Sequence, residues 1–156
     1  MKTIGIISDT HNLLRPEVLQ HLSACYVILH GGDISGPQVL VRLQDIAPVY
    51  AVRGNNDAAW AENLPYTRDF ELAGLWVFMT HKKKDLPADL SAYDLVVYGH
   101  SHRYDHKVQG RTVLLNPGSC GPRRFSQPIT MAMLYLAADG TFRIERVEIP
   151  HPGNNT

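Results

Sequence analysis

Short apolar runs separated by polar segments dominate the first two-thirds of the chain. The runs at 3–8, 26–30, 49–52, 75–80 and 95–98 are rich in β-branched residues and are bounded by turn-forming residues. These properties are typical of buried strands. Each of the five runs is followed, within a few residues, by a polar side chain that is able to bind a metal ion.

Helices are predicted in the two intervals between the first three strands. Pro16 is expected in the first turn of the first helix, where proline is tolerated. Ser35 and Gln38 have the spacing of a capping box and predict the start of the second helix. The apolar stripe of this helix is predicted to consist of Val39, Leu40, Leu43 and Ile46.

The second half of the chain is predicted to consist mainly of strands. Turns that contain glycine separate three pairs of runs: 70–72 and 75–80, 105–108 and 111–115, and 129–136 and 141–149. The segment 82–91 is predicted to be a loop with one helical turn near 88–90. Loose alternation in the last run favours a β-bulge near Glu145 and Arg146.

This order of elements predicts one α/β domain with some α+β character. Two packed sheets with helices on their outer faces would satisfy it. A chain of 156 residues has the size of a single domain. We assign the domain to residues 1–150 and predict that the tail at 151–156 is mobile.

Charge and cysteine content exclude some classes of function. Lys and Arg together number 15, as do Asp and Glu, so the chain lacks the positive excess of a general nucleic-acid or membrane-surface binder. No apolar run is long enough to span a membrane, and the N-terminal run is too short for a secretory signal. Cys25 and Cys120 do not form a C-x-x-C pair, so free thiols and a cytoplasmic location are expected.

The polar side chains that follow the five strands form a candidate metal site. Ligands in open α/β sheets bind beyond the carboxyl ends of the strands. Oxygen and imidazole donors without thiolate suit Mn²⁺, Fe, Co, Ni or Zn²⁺. Seven side chains are too many for one ion, but two ions that share a carboxylate would use them all. The candidate ligands are Asp9, His11, Asp33, Asn55, His81, His100 and His102.

These motifs resemble those of the calcineurin-like metallophosphoesterase superfamily. The matching segments are Asp9-x-His11, Gly32-Asp33, Gly54-Asn55-x-Asp57, His81 and Gly99-His100-x-His102. Asn116-Pro117-Gly118-Ser119 also matches a segment common in the small single-domain phosphodiesterase branch of this superfamily. The resemblance implies a four-layer αββα sandwich of two mixed sheets flanked by helices.

The resemblance also implies a mechanism. Asp9, His11 and His102 would bind one divalent ion, and Asn55, His81 and His100 the other, with Asp33 between them. We expect manganese first, with nickel, iron, cobalt or zinc as alternatives. A hydroxide bridging the two ions would attack a small phosphoester in line. Asp33, Asn55 and His100 are the residues to which we assign catalytic roles.

Two departures from the family pattern concern the substrate. Many relatives have His, which is thought to protonate the leaving oxygen, where this chain has Asn56. Relatives often have His-Gly-His where this chain has His81 followed by three lysines. An amide does not titrate near neutral pH, so good leaving groups are expected to be preferred. The candidate substrate-binding residues are Asn12, Asn56, Lys82, Lys83, Arg123 and Arg124.

Two other functions stay open on the sequence. One is a non-catalytic scaffold of the same fold that binds protein partners. The other is a nucleotide pyrophosphohydrolase, because phosphoanhydrides provide good leaving groups. If the protein is a phosphodiesterase, its expected ligand is a small phosphoester. Small members of the family commonly form dimers, so the resemblance makes a homodimer one option.

Overall fold

A computed structural model describes residues 1–124 and 126–151. In chain order the elements are β1 (Lys2–Ile7), α1 (Pro16–Leu22), β2 (Val27–His30), α2 (Pro37–Gln44), β3 (Val49–Ala51), β4 (Thr67–Leu72), β5 (Leu75–Thr80), β6 (Leu95–Val97), β7 (Tyr104–Gln109), β8 (Thr112–Pro117), β9 (Ile129–Leu136) and β10 (Phe142–Ile149). Short 3₁₀ turns occur at Ala59–Ala61 and Lys83–Asp85. Most of the predicted mobile tail, residues 152–156, lies outside the described residues.

The strands form two five-stranded mixed sheets, as the sequence predicted. The first sheet has the order β10-β9-β1-β2-β3, in which β1, β2 and β3 are parallel. The second has the order β4-β5-β6-β8-β7, with β5, β6 and β8 parallel. In each sheet the parallel strands end at one common edge.

Apolar side chains hold the sheets and helices together in layers. One cluster, which includes Ile6, Met79 and Leu134, fills the space between the sheets. A second cluster, which includes Leu22 and Leu43, packs α1 and α2 on the outer face of the first sheet. These side chains are fully buried, so each stabilises the fold by roughly 1.5–3 kcal/mol of apolar burial.

The outer face of the second sheet is covered by a loop within the described part of the chain. Phe78 and Val96 project outwards from this sheet and contact Leu86, Leu90 and Tyr93, which lie in the segment 81–94. The helical turn predicted near 88–90 is wrong, because the short helix of this segment is the 3₁₀ turn Lys83–Asp85.

Two further local predictions are wrong. Gly36, not Ser35, is the N-cap of α2, and no side chain caps this helix; Ser35 instead adopts a positive φ of 71°. The register of β10 with β9 runs unbroken from Phe142 to Ile149, so there is no bulge. The alternation is loose because Phe142 and Ile144 pack on the inner cluster while Val147 and Ile149 pack on the helix side.

The two cysteines are not joined in a disulfide, as the sequence predicted. Cys25 and Cys120 are free and buried, and burial raises the pKa of the Cys25 thiol to about 11. No helix among residues 1–124 and 126–151 is long and apolar enough to cross a membrane.

Candidate metal centre

The loops that follow β1, β2, β3, β5 and β6 meet at one edge of the sandwich. Backbone hydrogen bonds join them directly: Asp9 N–H donates to Gly32 O at 2.9 Å, and His11 N–H donates to Asp33 O at 3.0 Å. Gly99 N–H likewise donates to His81 O at 2.9 Å. The carboxyl ends of the parallel strands thus bring all seven predicted ligands to one place, although they are spread over more than ninety residues of sequence.

The predicted ligands fall into two groups. The donor atoms of Asp9, His11 and His102 lie within 4.8 Å of one another, as do those of Asp33, His81 and His100. Asn55 adjoins the second group, since its Oδ1 is 3.1 Å from His100 Nδ1. This division is the one that the sequence resemblance implied for two ions.

The Asp9 carboxylate is bound on one side and open on the other. Its Oδ2 accepts hydrogen bonds from Ser8 Oγ at 2.7 Å and from His100 N–H at 3.1 Å. Its Oδ1 is fully buried and has no hydrogen-bond partner among the described residues. The Nε2 atoms of His102 and His81 lie 3.4 and 3.7 Å from this oxygen.

Asp33 lies between the two groups. Its Oδ2 is 3.2 Å from His81 Nε2 in the second group and 3.8 Å from His11 Nε2 in the first. Asn56 holds it from the other side, with N–H donating to Oδ1 at 2.9 Å and Nδ2 to Oδ2 at 3.0 Å. Burial alone would raise the pKa of Asp33, but contact with His81 and the Asn56 N–H outweighs burial and lowers it, so this carboxylate is ionised at neutral pH.

His81 is fixed in an orientation suited to a metal ligand. Its Nδ1 lies 2.8 Å from Gly31 O, an acceptor to which only a protonated nitrogen can donate. This contact leaves Nε2 unprotonated in the neutral ring, and Nε2 is buried without a hydrogen-bond partner among the described residues. A backbone carbonyl behind the ring is the usual outer partner of a ligating histidine. Gly32 must be a glycine here, since its φ is 103° and a Cβ would lie 2.8 Å from His81 Nδ1.

The backbone of the candidate centre is strained. Positive φ angles, which are uncommon for residues other than glycine, occur at five of the seven predicted ligands. They are Asp9 (58°), His11 (45°), Asp33 (58°), His100 (76°) and His102 (64°). Such strain costs on the order of 1–3 kcal/mol for each residue and is found mainly at functional sites.

Asp57 is the residue whose role the sequence prediction missed. The Arg53 side chain donates to the backbone oxygen of Asp57 and not to its carboxylate. The buried carboxylate instead accepts three backbone N–H groups, from Gly54 (2.8 Å), Ser35 (2.8 Å) and Asp33 (3.0 Å). It therefore connects the loop that carries Asn55 to the loop that carries Asp33. The Gly-Asn-x-Asp spacing was the available signal for this contact.

The predicted substrate-binding residues are dispersed around the centre. Asn56 binds Asp33, Lys82 lines a cavity beside Asn55 and His81, and Arg124 is near enough to His11 to contribute to lowering its pKa, which burial lowers most. The other three contact residues outside the two ligand groups, although Lys83 also lines a depression beside His100. Asn12 accepts a hydrogen bond from Gln38, Lys83 lies over the Tyr98 ring, and Arg123 contacts His151.

The donor set suits divalent transition metals. Two carboxylates, an amide oxygen and four imidazoles converge, and there is no thiolate in either group. Asp9 Oδ1 is an acceptor that burial deprives of water, and an unpaired buried acceptor costs about 1–3 kcal/mol. A cation bound between this oxygen and His81 Nε2 would remove that cost.

A two-sheet sandwich that gathers carboxylates and imidazoles at one strand edge is the architecture of a metal-dependent phosphoesterase. Residues 1–139 match the calcineurin-like phosphoesterase superfamily domain. The chain therefore belongs to the calcineurin-like phosphoesterase superfamily, as its motifs predicted, and the family uses divalent metal ions. This membership supports a hydrolase function on phosphoester bonds.

Individual relatives agree with this assignment. The chain is 34% identical over 145 residues to a probable metallophosphoesterase of Methanothermobacter thermautotrophicus, covering 83% of this chain and 84% of that protein. A structure described as a novel archaeal phosphodiesterase superposes with a TM-score of 0.75 at 23% identity and covers 93% of this chain and 99% of that one. Vps29 of Entamoeba histolytica complexed with Zn²⁺ gives 0.71 at 23% identity, with 94% and 98% covered. The two structural matches establish the fold alone.

Proposed function

We propose that this protein is a dinuclear metal-dependent phosphodiesterase that acts on small phosphoesters. One observation carries the proposal: two groups of predicted ligands adjoin each other, with Asp33 near the histidines of both, and the buried Asp9 Oδ1 has no hydrogen-bond partner among the described residues. Two divalent ions bound there would activate water for attack on phosphorus and neutralise charge on the phosphoryl oxygens. Manganese is the first candidate.

The residues of the chain prepare the centre for that chemistry. The Asn56 amide and N–H keep the Asp33 carboxylate in one orientation, and Ser8 and His100 N–H do the same for Asp9. Fixed donors and acceptors of this kind require no reorganisation when charge develops during the reaction. Asn55 and His100 lie at the more exposed side of the centre, where a substrate phosphate would enter.

The proposed function is tested with purified protein stripped of metal by chelation and dialysis. Bis-p-nitrophenyl phosphate should be hydrolysed after Mn²⁺ is added, and excess chelator should stop the reaction. Inductively coupled plasma mass spectrometry of reconstituted protein should find up to two metal ions for each chain. Hydrolysis that persists in chelator, or none with any of Mn²⁺, Ni²⁺, Co²⁺, Fe²⁺ and Zn²⁺, would contradict the proposal.

A strong dependence on the leaving group is expected. Asn56 occupies the position of the proton donor in many relatives, and its amide is committed to Asp33. General acid catalysis typically contributes about 10²–10⁴-fold, so alkyl diesters should react slower than aryl diesters by more than their intrinsic reactivity explains. The measurement is kcat/KM over a series of diesters whose leaving groups differ in pKa. Equal rates for methyl and nitrophenyl leaving groups would refute this expectation.

The alternatives are separated by the same assays. The likeness to Vps29 keeps a scaffold function in view, but a scaffold has no physical need for strained loops that converge on buried, unpaired acceptors. A scaffold would bind metal without hydrolysing any ester. A nucleotide pyrophosphohydrolase would release nucleoside monophosphate from phosphoanhydrides faster than it cleaves diesters. The homodimer is tested by sedimentation, and the cytoplasmic location by cell fractionation.

A further inference from the structure

A cavity of about 180 Å³ adjoins the candidate metal centre on the side of Asn55 and His81. Both of these predicted ligands form part of its wall, so the cavity borders the candidate centre. The charged residues of its lining are Arg53, Lys82, Lys84 and Asp85. Three cations and one carboxylate give this cavity a net positive charge.

The three consecutive lysines are divided between two sides of the loop. Lys82 and Lys84 line the cavity, whereas Lys83 lines a separate depression together with His100 and has its Nζ 5.8 Å from the centre of the Tyr98 ring. The 3₁₀ turn at Lys83–Asp85 produces this division. Lys82 and Lys84 therefore face the cavity, whereas Lys83, which lies between them in the sequence, does not.

The three cations of the cavity form no ion pair within the described part of the chain. No carboxylate of residues 1–124 and 126–151 lies within 4.0 Å of the charged atoms of Arg53, Lys82 or Lys84. Elsewhere, cations such as Lys107 and Arg111 form ion pairs with Asp105 and Asp94.

Arg53 is held in place by other contacts. Its Nε donates to Asp57 O at 3.2 Å, and its guanidinium lies 5.2 Å from the centre of the Tyr66 ring. A fixed arginine binds an oxyanion with less loss of conformational freedom than a mobile side chain does.

We propose that this cavity binds a second anionic group of the substrate, a phosphate next to the phosphorus that reacts. The proposal rests on the proposed function, because it places the reacting phosphoester at the ligands that form the wall of the cavity. Charge-assisted hydrogen bonds from Lys82, Lys84 and Arg53 would hold the second phosphate. The preferred substrates are then phosphoesters that carry a second phosphate group, a class that includes the phosphoanhydrides of the alternative above, and simple diesters leave the cavity unused.

The test compares ADP with AMP, which share adenine and ribose and differ by one phosphate. Isothermal titration calorimetry at constant free Mn²⁺ should show that the wild-type protein binds ADP about tenfold more tightly than AMP, the size of one charge-assisted contact. The double variant Lys82→Gln/Lys84→Gln should lower the ADP-to-AMP affinity ratio severalfold, with Arg53 left to hold the second phosphate. The Lys2→Gln/Arg143→Gln variant removes two charges at the opposite edge of the first sheet, and it is the control that should keep the wild-type ratio.

Two results would overturn the proposal. Equal loss of affinity for ADP in the control and in the Lys82→Gln/Lys84→Gln variant would show that only the overall charge of the protein matters. An unchanged ADP-to-AMP ratio in the double variant would show that the cavity does not bind the second phosphate. Failure of the proposed function is distinguishable, because it appears as absent hydrolysis of bis-p-nitrophenyl phosphate and leaves the calorimetric comparison intact.

Discussion

Replacing Asp33 with Asn is expected to lower metal-dependent phosphoester hydrolysis by more than about 10²-fold. Loss of an outer-shell partner alone typically costs about 10–100-fold in metal affinity or activity, and Asp33 lies between both groups of ligands. The substitution removes the negative charge that would hold two cations together. It also turns a donating NH₂ towards either His81 or the Asn56 donors. Metal content should fall together with kcat/KM.

Asp139→Asn is the control for this experiment. Asp139 lies in the turn between β9 and β10, at the opposite edge of the first sheet, because Leu136 pairs with Lys2 at the start of β1. The control should keep wild-type activity and metal content. Near-normal turnover and two bound metal ions in Asp33→Asn would refute the assignment of Asp33 as the shared ligand.

The Asp57→Asn variant is expected to lose both stability and activity, although Asp57 is not a predicted ligand. Its two oxygens accept three backbone N–H groups, and asparagine offers one acceptor oxygen and one donor in the same space. At least one buried N–H then loses its partner, which costs about 1–3 kcal/mol of unfolding free energy. The Asn55 and Asp33 loops also lose their connection, so metal affinity should fall.

Urea unfolding and metal titration of the Asp57→Asn variant check this expectation. Asp45→Asn, at the exposed C-terminal end of α2, is the control and should change the free energy of unfolding by less than about 0.5 kcal/mol. Wild-type stability combined with lost activity would mean that Asp57 acts on the substrate rather than on the loops.

The sequence predicted correctly those features that depend on a pattern shared by many residues, namely the strands and the edge at which they end. Apolar runs located the strands to within a few residues, and the polar residues that follow them do converge, because parallel strands present their carboxyl ends at one edge. The division into two groups around Asp33 came from the family motifs, and the arrangement of the side chains is compatible with it. Whether these residues bind metal stays a prediction.

The details that the sequence did not predict depend on contacts between distant residues. The Asp57 carboxylate binds the N–H groups of Ser35 and Asp33, which are more than twenty residues away, so the motif drew attention to Asp57 but did not identify these partners. The capping box at Ser35 failed for the same reason, because its N–H is already bound by Asp57. The bulge predicted in β10 does not exist. The alternation is irregular because Phe142 and Ile144 pack between the sheets, whereas Val147 and Ile149 pack against the helix layer.

The segment 81–94 combines two roles that are usually separate. It covers the outer face of the second sheet through Leu86, Leu90 and Tyr93, and it also supplies His81, Lys82 and Lys84 to the region of the centre. Surface loops tolerate insertions and substitutions far better than the strands that they connect. A different loop between β5 and β6, with His81 and the three apolar anchors kept, should therefore leave the fold intact while it changes the lining of the cavity beside the candidate centre.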